Sequence, residues 1–333
     1  MSDPILSVRD LSVQFTDGDR TIRGVDGVSF DVERGQTACL VGETGSGKTV
    51  TCESLTGLIR PEATISGEVR FAGENLIDLQ DDQLRRIRGN HIAHVFQNPQ
   101  HTLDPVYTIG DQIAEAITFH QDVGETESHK RGVDLLDRVG IPNAEERVDD
   151  YPHEFSGGMK QRVAIAMALA PDPDLLVADE PTTALDLTTQ AQLLELIADI
   201  QDERDMTVVF VTHDMGIVAN IADWVAVMYG GKIMERGGVA DVINEPGHPY
   251  TQALLQCLPG RGEELQPIGG DLPDPRQPPD GCRFHPRCEH AVESCRTGDQ
   301  PAFGSVGTGK QEASCVFYGP TFDATEIGGE TDD

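Results

Sequence analysis

The sequence predicts an α/β protein built on an open, largely parallel sheet, with its site at the carboxyl edge of the strands. Three observations carry this. Thr37–Val41, Leu175–Ala178 and Val208–Val211 are short continuous apolar runs, the pattern of strands buried on both faces. Stretches with helical apolar spacing alternate with them. Each run closes on polar or glycine residues: Gly42 onward, Asp179-Glu180, and Thr212-His213-Asp214. In open α/β sheets, ligands bind where strands end.

The elements follow in order. Ile5, Leu6, Val8, Leu11, Val13 and Phe15 predict a strand interrupted at Arg9-Asp10. A polar turn at Thr16 to Arg20 follows, and alternation from Val25 to Val32 predicts a half-buried strand. After a turn at Glu33-Arg34-Gly35, the strand Thr37–Val41 runs into Gly42-Glu43-Thr44-Gly45-Ser46-Gly47-Lys48-Thr49. That stretch fits G-x-x-x-x-G-K-[ST], the phosphate-binding loop. Its glycines let backbone wrap a phosphate, and the N–H groups at the start of the next helix point at the anion. Lys48 can reach the β- and γ-phosphates, and the Thr49 hydroxyl can sit on magnesium. Cys52, Leu55, Leu58 and Ile59 predict the helix that follows.

Gly67 to Gly73 predicts a short strand, and Ile92 to Phe96 another, ending at Gln97. Residues 98–154 predict a mostly helical insertion, with helical periodicity over Ile109–Phe119 and Val133–Val139. Ser156-Gly157-Gly158 opens a helix with Met159, Val163, Met167 and Ala170 on one face. The helix after Asp179-Glu180 should turn Ala191, Leu194, Ile197 and Ala198 inward. From Gly237 the pattern thins. Residues 259–281 are rich in Pro, Gly and Asp and predict a linker or irregular lobe. Four cysteines follow, then an acidic, glycine-rich tail expected to be disordered.

Composition narrows the function. The 333 residues suffice for about two domains. Against 25 Lys and Arg stand 57 Asp and Glu, a formal net charge of -32. Nucleic acid is disfavoured, since no cationic excess can displace phosphate counterions. The imbalance predicts a high-salt cytoplasm, where a Debye length of roughly 3 Å screens self-repulsion while carboxylates keep the surface hydrated. The most apolar stretch, Val163 to Ala178, is broken by Pro171-Asp172-Pro173-Asp174, so no membrane span is predicted. Met1-Ser2-Asp3-Pro4 starts no secretory signal, and a cytosolic protein is expected. Within the site, Asp179 is placed to hold magnesium and Glu180 to accept a proton from attacking water.

Ser156-Gly157-Gly158-Met159-Lys160-Gln161-Arg162, just before Asp179-Glu180-Pro181-Thr182, resembles the signature of ABC transporter ATP-binding subunits. Ala184-Leu185-Asp186 resembles their D-loop, His213 their switch histidine and Gln97 their Q-loop glutamine. The resemblance covers roughly residues 4–255, with the helical insertion at about 98–156. It implies a RecA-like P-loop NTPase core with a helical subdomain. Phe155 departs from the family's usual leucine. In this family two cassettes sandwich two ATP molecules head to tail. Residues 42–49 of one cassette would then face Ser156, Gly157 and Gly158 of the other, with Asp186 at the same junction. The resemblance further implies magnesium near Thr49, Gln97 and Asp179, His213 on the γ-phosphate, and Phe15 stacked on adenine.

A narrower resemblance is to the dipeptide/oligopeptide importer ATPases. It rests on Phe96-Gln97-Asn98-Pro99, Leu103 to Gly110, Gly247 to Leu255, and Gly281-Cys282-Arg283-Phe284-His285-Pro286-Arg287-Cys288 with Cys295 and Cys315. Residues 256–333 match that family's C-terminal extension, and Gly45 to Thr49 with Asn98 to Val106 resemble its "D" type. This implies a peripheral subunit on the cytoplasmic face, a paralogous ATPase partner in a heterodimer, two membrane permeases and an extracellular solute-binding protein. Nickel and other small solutes are cargo of similar importers. A non-transport ABC ATPase or an iron–sulfur sensor is the reading from another class. For Cys282, Cys288, Cys295 and Cys315, disulfides are disfavoured in a reducing cytosol, and the C-x-x-C pairs usual for zinc are lacking. Cluster, zinc and free thiols stay open on spacing alone; the resemblance points to a 4Fe-4S cluster. Cys39, Cys52 and Cys257 lie in apolar contexts and are expected in the core.

Overall fold

The predicted apolar strands form, and the chain divides into two units. The computed structural model describes residues 3–18, 20–98, 102–183, 185–258, 268–322 and 324–327. Pro99, Ala184, residues 259–267 of the expected linker and the expected tail from 328 lie outside the described residues. The first unit comprises Met1–Val32, Thr37–Ile77 and Thr212–Asp333; the second comprises Glu33–Gln36 and Asp78–Val211.

The first unit begins with β1 (Leu6–Asp17), β2 (Arg20–Val32), β3 (Thr37–Val41), α1 (Lys48–Leu55), β4 (Ala63–Phe71) and β5 (Glu74–Asn75). Strand β1 pairs antiparallel with β2 on one side and β4 on the other, in a sheet ordered β2-β1-β4-β5. The alternation read at Val25–Val32 therefore belongs to an antiparallel sheet. The break at Arg9-Asp10 is a β-bulge in which Asp10 takes a left-handed φ of 48°. Helix α1 stops at Leu55, short of Leu58 and Ile59, because Gly57 turns the chain at φ 65°. Ile59 is nevertheless buried, so the spacing marked core membership beyond the helix end.

The second unit carries α2 (Asp81–Ile87), β6 (Ile92–Val95), α3 (Ile109–His120), α4 (Glu125–Arg138), α5 (Ala144–Arg147), α6 (Gly157–Leu169), β7 (Leu175–Asp179), α7 (Leu187–Arg204) and β8 (Thr207–Thr212). Strands β6, β7 and β8 pair in parallel, and every residue of β7 and β8 is buried. Each large aliphatic side chain withdrawn from water there contributes about 1.5–3 kcal/mol before entropy is subtracted. Helices α3, α4 and α6 enclose a core of Ile109, Ile113, Ile117, Leu136, Val163 and Ala166. Helix α4 starts at Glu125, well before the periodic stretch from Val133, whose apolar spacing its polar first turns do not share. Helix α7 buries Leu193, Ile197 and Ile200, whereas Ala191 and Ala198 are exposed. Only Ile197 of the fully buried set was predicted: the larger Leu193 and Ile200 remove more apolar area and set the helix rotation.

His94 on β6 is held neutral: burial, and then the nearby Arg88 charge, lower its pKa to about 4. An unfolded histidine titrates near 6.5. A depressed pKa means the unfolded state takes up the proton first. Stability from this group is complete above pH ~6.5 and declines as pH falls toward ~4. Urea unfolding midpoints should drop across that window, and His94→Gln should flatten the slope; an unchanged slope would sink the assignment.

The chain then returns to the first unit with α8 (Met215–Ile221), β9 (Trp224–Tyr229), β10 (Lys232–Gly238), α9 (Val239–Asn244), α10 (Pro249–Gln256), β11 (Gly304–Ser305) and β12 (Glu312–Ala313). Strand β9 is parallel to β3, and β10 folds back antiparallel on β9. The C-terminal extension joins this sheet through β12, which pairs with β10. Buried Glu235 on β10 accepts from the Gly247 and His248 N–H groups and from Gln311 Nε2, at 2.6, 2.9 and 2.6 Å. One carboxylate thus ties β10, the turn into α10 and the extension together. Among the described residues, no helix is long and apolar enough to cross a membrane.

Candidate nucleotide-binding site

In the first unit, β3 delivers the chain into a loop whose last glycine caps α1. Gly47 has φ 104°, and a Cβ there would stand 2.6 Å from the Gly24 carbonyl oxygen, so only glycine fits. Lys48 is 4% exposed, and its ammonium donates to Gly42 O at 2.7 Å, Glu43 O at 3.0 Å and Ser46 Oγ at 3.4 Å. The loop is thereby folded around its own lysine, while Thr44, Gly45 and Thr49 stay exposed on its crest. Phe15 is half-buried on β1; the Cβ missing from Gly24 would lie 3.1 Å from both its ring and Val50 of α1. The predicted aromatic therefore lies near the helix that the loop begins. His213 is exposed just after β8. Its turn is fixed by Asp214, whose N–H donates to Thr212 Oγ1 at 3.0 Å and whose Oδ1 accepts from Gly216 N at 2.7 Å.

In the second unit, β7 presents Asp179 and Glu180 at its carboxyl end, both buried. Glu180 takes a left-handed φ of 46°, a conformation that costs a non-glycine residue about 1–3 kcal/mol. Its N–H donates to Val211 O at 3.0 Å. Its Oε2 accepts from Gln97 Nε2 at 3.1 Å and from Thr183 Oγ1 at 3.0 Å. The strained backbone aims the carboxylate, and two donors hold its orientation. Gln97 and Glu180, 83 residues apart, are thus brought together by a direct hydrogen bond.

Ser156 is the N-cap of α6, its Oγ accepting from Met159 N at 3.3 Å. Ser156 and Gly157 are exposed, with open space around Gly157, and they sit at the positive end of a 13-residue helix. Phe155, the departure from the family pattern, is 5% exposed in the helical core with the Arg147 guanidinium 5.2 Å from its ring centre. Asp186 caps α7, its Oδ1 accepting from Thr188 N and Thr189 N at 3.1 and 3.0 Å. The Thr189 backbone hydrogen bond, more than any other contact, lowers its pKa.

The four distal cysteines are free thiols. Cys282, Cys295 and Cys315 are buried, and the Cys282 N–H donates to Cys295 O at 3.0 Å. Burial pushes the Cys282 thiol up to about 11 and Cys315 up to about 12, and raises Cys288 too; Cys295 adds to each shift. Burial and mutual proximity thus disfavour the thiolate at Cys282, Cys288 and Cys315. Among the described residues, no three His, Cys, Asp or Glu side chains converge closely enough to hold a metal ion. The geometry thus does not fit the 4Fe-4S expectation as the side chains stand. Cys39 and Cys52 are core residues as expected, while Cys257 is only half-buried.

Three contacts at the site had no role assigned from sequence. Thr183 orients Glu180, the Tyr250 Oη accepts from the Glu43 N–H at 3.0 Å, and Arg287 pairs with the Glu43 carboxylate. The available signal was charge: cations are scarce in this chain, and Arg287 sits in the same motif as Cys282 and Cys288.

Comparison with known proteins agrees with this geometry. The family model described as "ABC transporter" matches residues 25–183, and that described as "Oligopeptide/dipeptide transporter, C-terminal region" matches residues 234–295. The dipeptide transport ATP-binding protein DppD of Bacillus subtilis (strain 168) is 46% identical over 298 residues, 88% of this chain and 89% of that protein. The oligopeptide transport ATP-binding protein OppD of the same organism is 44% identical over 305 residues, covering 90% and 85%. Among solved structures, an ATP-binding cassette dimer in a post-hydrolysis state with ADP and phosphate aligns with a TM-score of 0.65 at 28% identity, over 70% of this chain and 98% of that one. A cassette from Clostridium perfringens, cbiO1, part of an ABC transporter complex, aligns with a TM-score of 0.60 at 30% identity, over 72% and 91%.

Proposed function

The chain belongs to the ATP-binding proteins of ABC transporters, in the dipeptide and oligopeptide import branch, and from that premise we propose how its residues divide the work. It is an ATPase that energises peptide uptake through an importer. Residues 42–49 hold the phosphates of ATP, with Lys48 on the β- and γ-phosphates. Thr49, Gln97 and Asp179 face magnesium, Glu180 takes the proton of the attacking water, and His213 contacts the γ-phosphate. Phe15 carries the adenine. Ser156, Gly157, Gly158 and Asp186 complete the site of a partner cassette, a role supported by the exposed N-terminus of α6.

One observation carries the peptide assignment: similarity to peptide-transport ATPases continues beyond the cassette through residues 234–295. Membrane permeases and a solute-binding protein are the partners, with the chain peripheral on the cytoplasmic face. Exposed Phe96, Val106 and Tyr107, flanking the segment after Gln97, supply an apolar surface suited to a permease. Reconstitution with the permeases and solute-binding protein of the importer should give ATP hydrolysis stimulated by di- or oligopeptides, with uptake. Stimulation by nickel, and none by a peptide panel, would overturn the cargo.

Three finer readings belong to the same proposal. The partner cassette is a paralogue, supported by the "D"-type residues Gly45 to Thr49; co-expression should yield a mixed complex, and a self-dimer alone would refute it. The 4Fe-4S reading of Cys282, Cys288, Cys295 and Cys315 rests on the family resemblance, and the described side chains do not converge on a ligand set. Anaerobically purified protein lacking iron and visible absorption would remove that reading. The net charge of -32 suits a high-salt cytoplasm, so the unfolding temperature should rise between low and molar KCl.

A further inference from the structure

Arg287 lies 244 residues from the phosphate loop that it touches, and both belong to the first unit. Its guanidinium forms a two-pronged pair with Glu43, Nη1 to Oε2 at 2.7 Å and Nη2 to Oε1 at 3.1 Å. Nε donates to Gly269 O at 2.7 Å, Nη2 to Ile268 O at 3.0 Å, and Nη1 to Tyr229 Oη at 3.2 Å. The Arg287 side chain is only 3% exposed. A buried fork of this kind fixes direction as well as distance.

Glu43 is correspondingly held at every polar group. Its carboxylate is gripped by Arg287, its N–H donates to Tyr250 Oη, and its carbonyl accepts from the Lys48 ammonium. From the same extension, Leu272 lies 3.7 Å from where a Cβ on Gly45 would be. Three of the loop's eight residues are glycines with little intrinsic conformational preference, so contacts from outside must select its shape. Arg287 itself is set by a tight turn: His285 N donates to Cys282 O at 3.0 Å, and Arg287 N to Phe284 O at 2.9 Å. On the other flank of that turn, Arg283 pairs with Asp26 rather than with Glu43, and Asp26 reaches the loop indirectly, through Gly231, whose N–H donates to Ser46 O.

We propose that Arg287 is a positioning residue of the nucleotide site: by gripping Glu43 it holds loop 42–49 in its phosphate-receiving conformation, so ATP affinity depends on the docked extension. This rests on the reading of residues 42–49 as the nucleotide site. Arg287 touches no substrate. It acts by keeping the competent conformer populated, and apparent Kd scales inversely with that population.

The test measures ATP binding and steady-state hydrolysis by the full-length protein. Arg287→Ala should weaken ATP binding by about tenfold and raise KM with little change in kcat, as loss of a pre-organised conformer dictates. Arg287→Lys, which keeps the charge but not the fork, should fall between. Arg283→Ala loosens the same turn without touching Glu43 and should leave affinity within about twofold. Combining Arg287→Ala with Glu43→Gln should cost little more than either alone, because they break one interaction. Unchanged affinity in Arg287→Ala, an equal loss in Arg283→Ala, or additive effects in the double variant would each overturn the proposal. Failure of the wild-type protein to bind ATP would instead overturn the nucleotide-site reading beneath it.

Discussion

Glu180→Gln should bind ATP with near wild-type affinity yet hydrolyse it about 10²–10⁴ times more slowly, the usual contribution of a positioned general base. The geometry makes this substitution unusually conservative in shape. Gln97 and Thr183 both donate to a single oxygen, Oε2, and the amide oxygen of glutamine can accept from both. The strained backbone at φ 46° is kept, as is the Glu180 N–H bond to Val211. Only proton acceptance is removed, since an amide nitrogen cannot take up the proton of attacking water. With the paralogous partner present, a closed ATP-bound complex should therefore accumulate. Single-turnover hydrolysis and size-exclusion chromatography with ATP would read both effects. A variant that turns over at the wild-type rate would show that another group is the base.

Lys48→Ala should lose ATP affinity by about 100-fold, corresponding to roughly 3 kcal/mol for charge-assisted hydrogen bonds to phosphate. The loss has two sources. The ammonium supplies charge to the phosphates, and it also gathers Gly42 O, Glu43 O and Ser46 Oγ around itself, so its removal releases the loop's fold. Lys48→Arg should not rescue binding, because the buried position is built around a compact ammonium. Titration calorimetry with ATP distinguishes the outcomes, and undiminished affinity in Lys48→Ala would remove residues 42–49 from the nucleotide site.

Much of this was legible in the sequence because the relevant signals are local. Continuous apolar runs placed β3, β7 and β8, and the phosphate loop and signature lie within short windows around Lys48 and Ser156. Less legible was whatever depends on competition between distant parts. The face of α7 turned toward Leu193 and Ile200 because burial of large side chains outweighs that of alanine. Strands β9 and β10, and the helix α8 before them, carried no predicted element, although their residues are largely buried. The Glu43–Arg287 pair could not be read at all, since two complementary charges far apart in sequence carry no register. The cysteines show the reverse case: a resemblance implied a cluster, and side-chain placement alone stops short of one.

The bulge in β1 acts as a frame shift. Before it the inward residues are Leu6 and Val8; after it they are Leu11 and Val13, so one extra residue changes the parity of the strand. Phe15 follows in the second frame and shares the face of Leu11 and Val13. A single deletion at Asp10 would leave composition almost untouched, yet it would oblige everything beyond to choose between pairing and burial. Gly67 reinforces the phase, because a Cβ there would lie 2.6 Å from the Arg9 and Asp10 carbonyl oxygens. Two small features, one supernumerary aspartate and one glycine opposite it, thus decide which side of a hairpin offers its aromatic ring. Length variation in this strand is constrained by parity, and inserted or deleted residues should be tolerated there only in pairs.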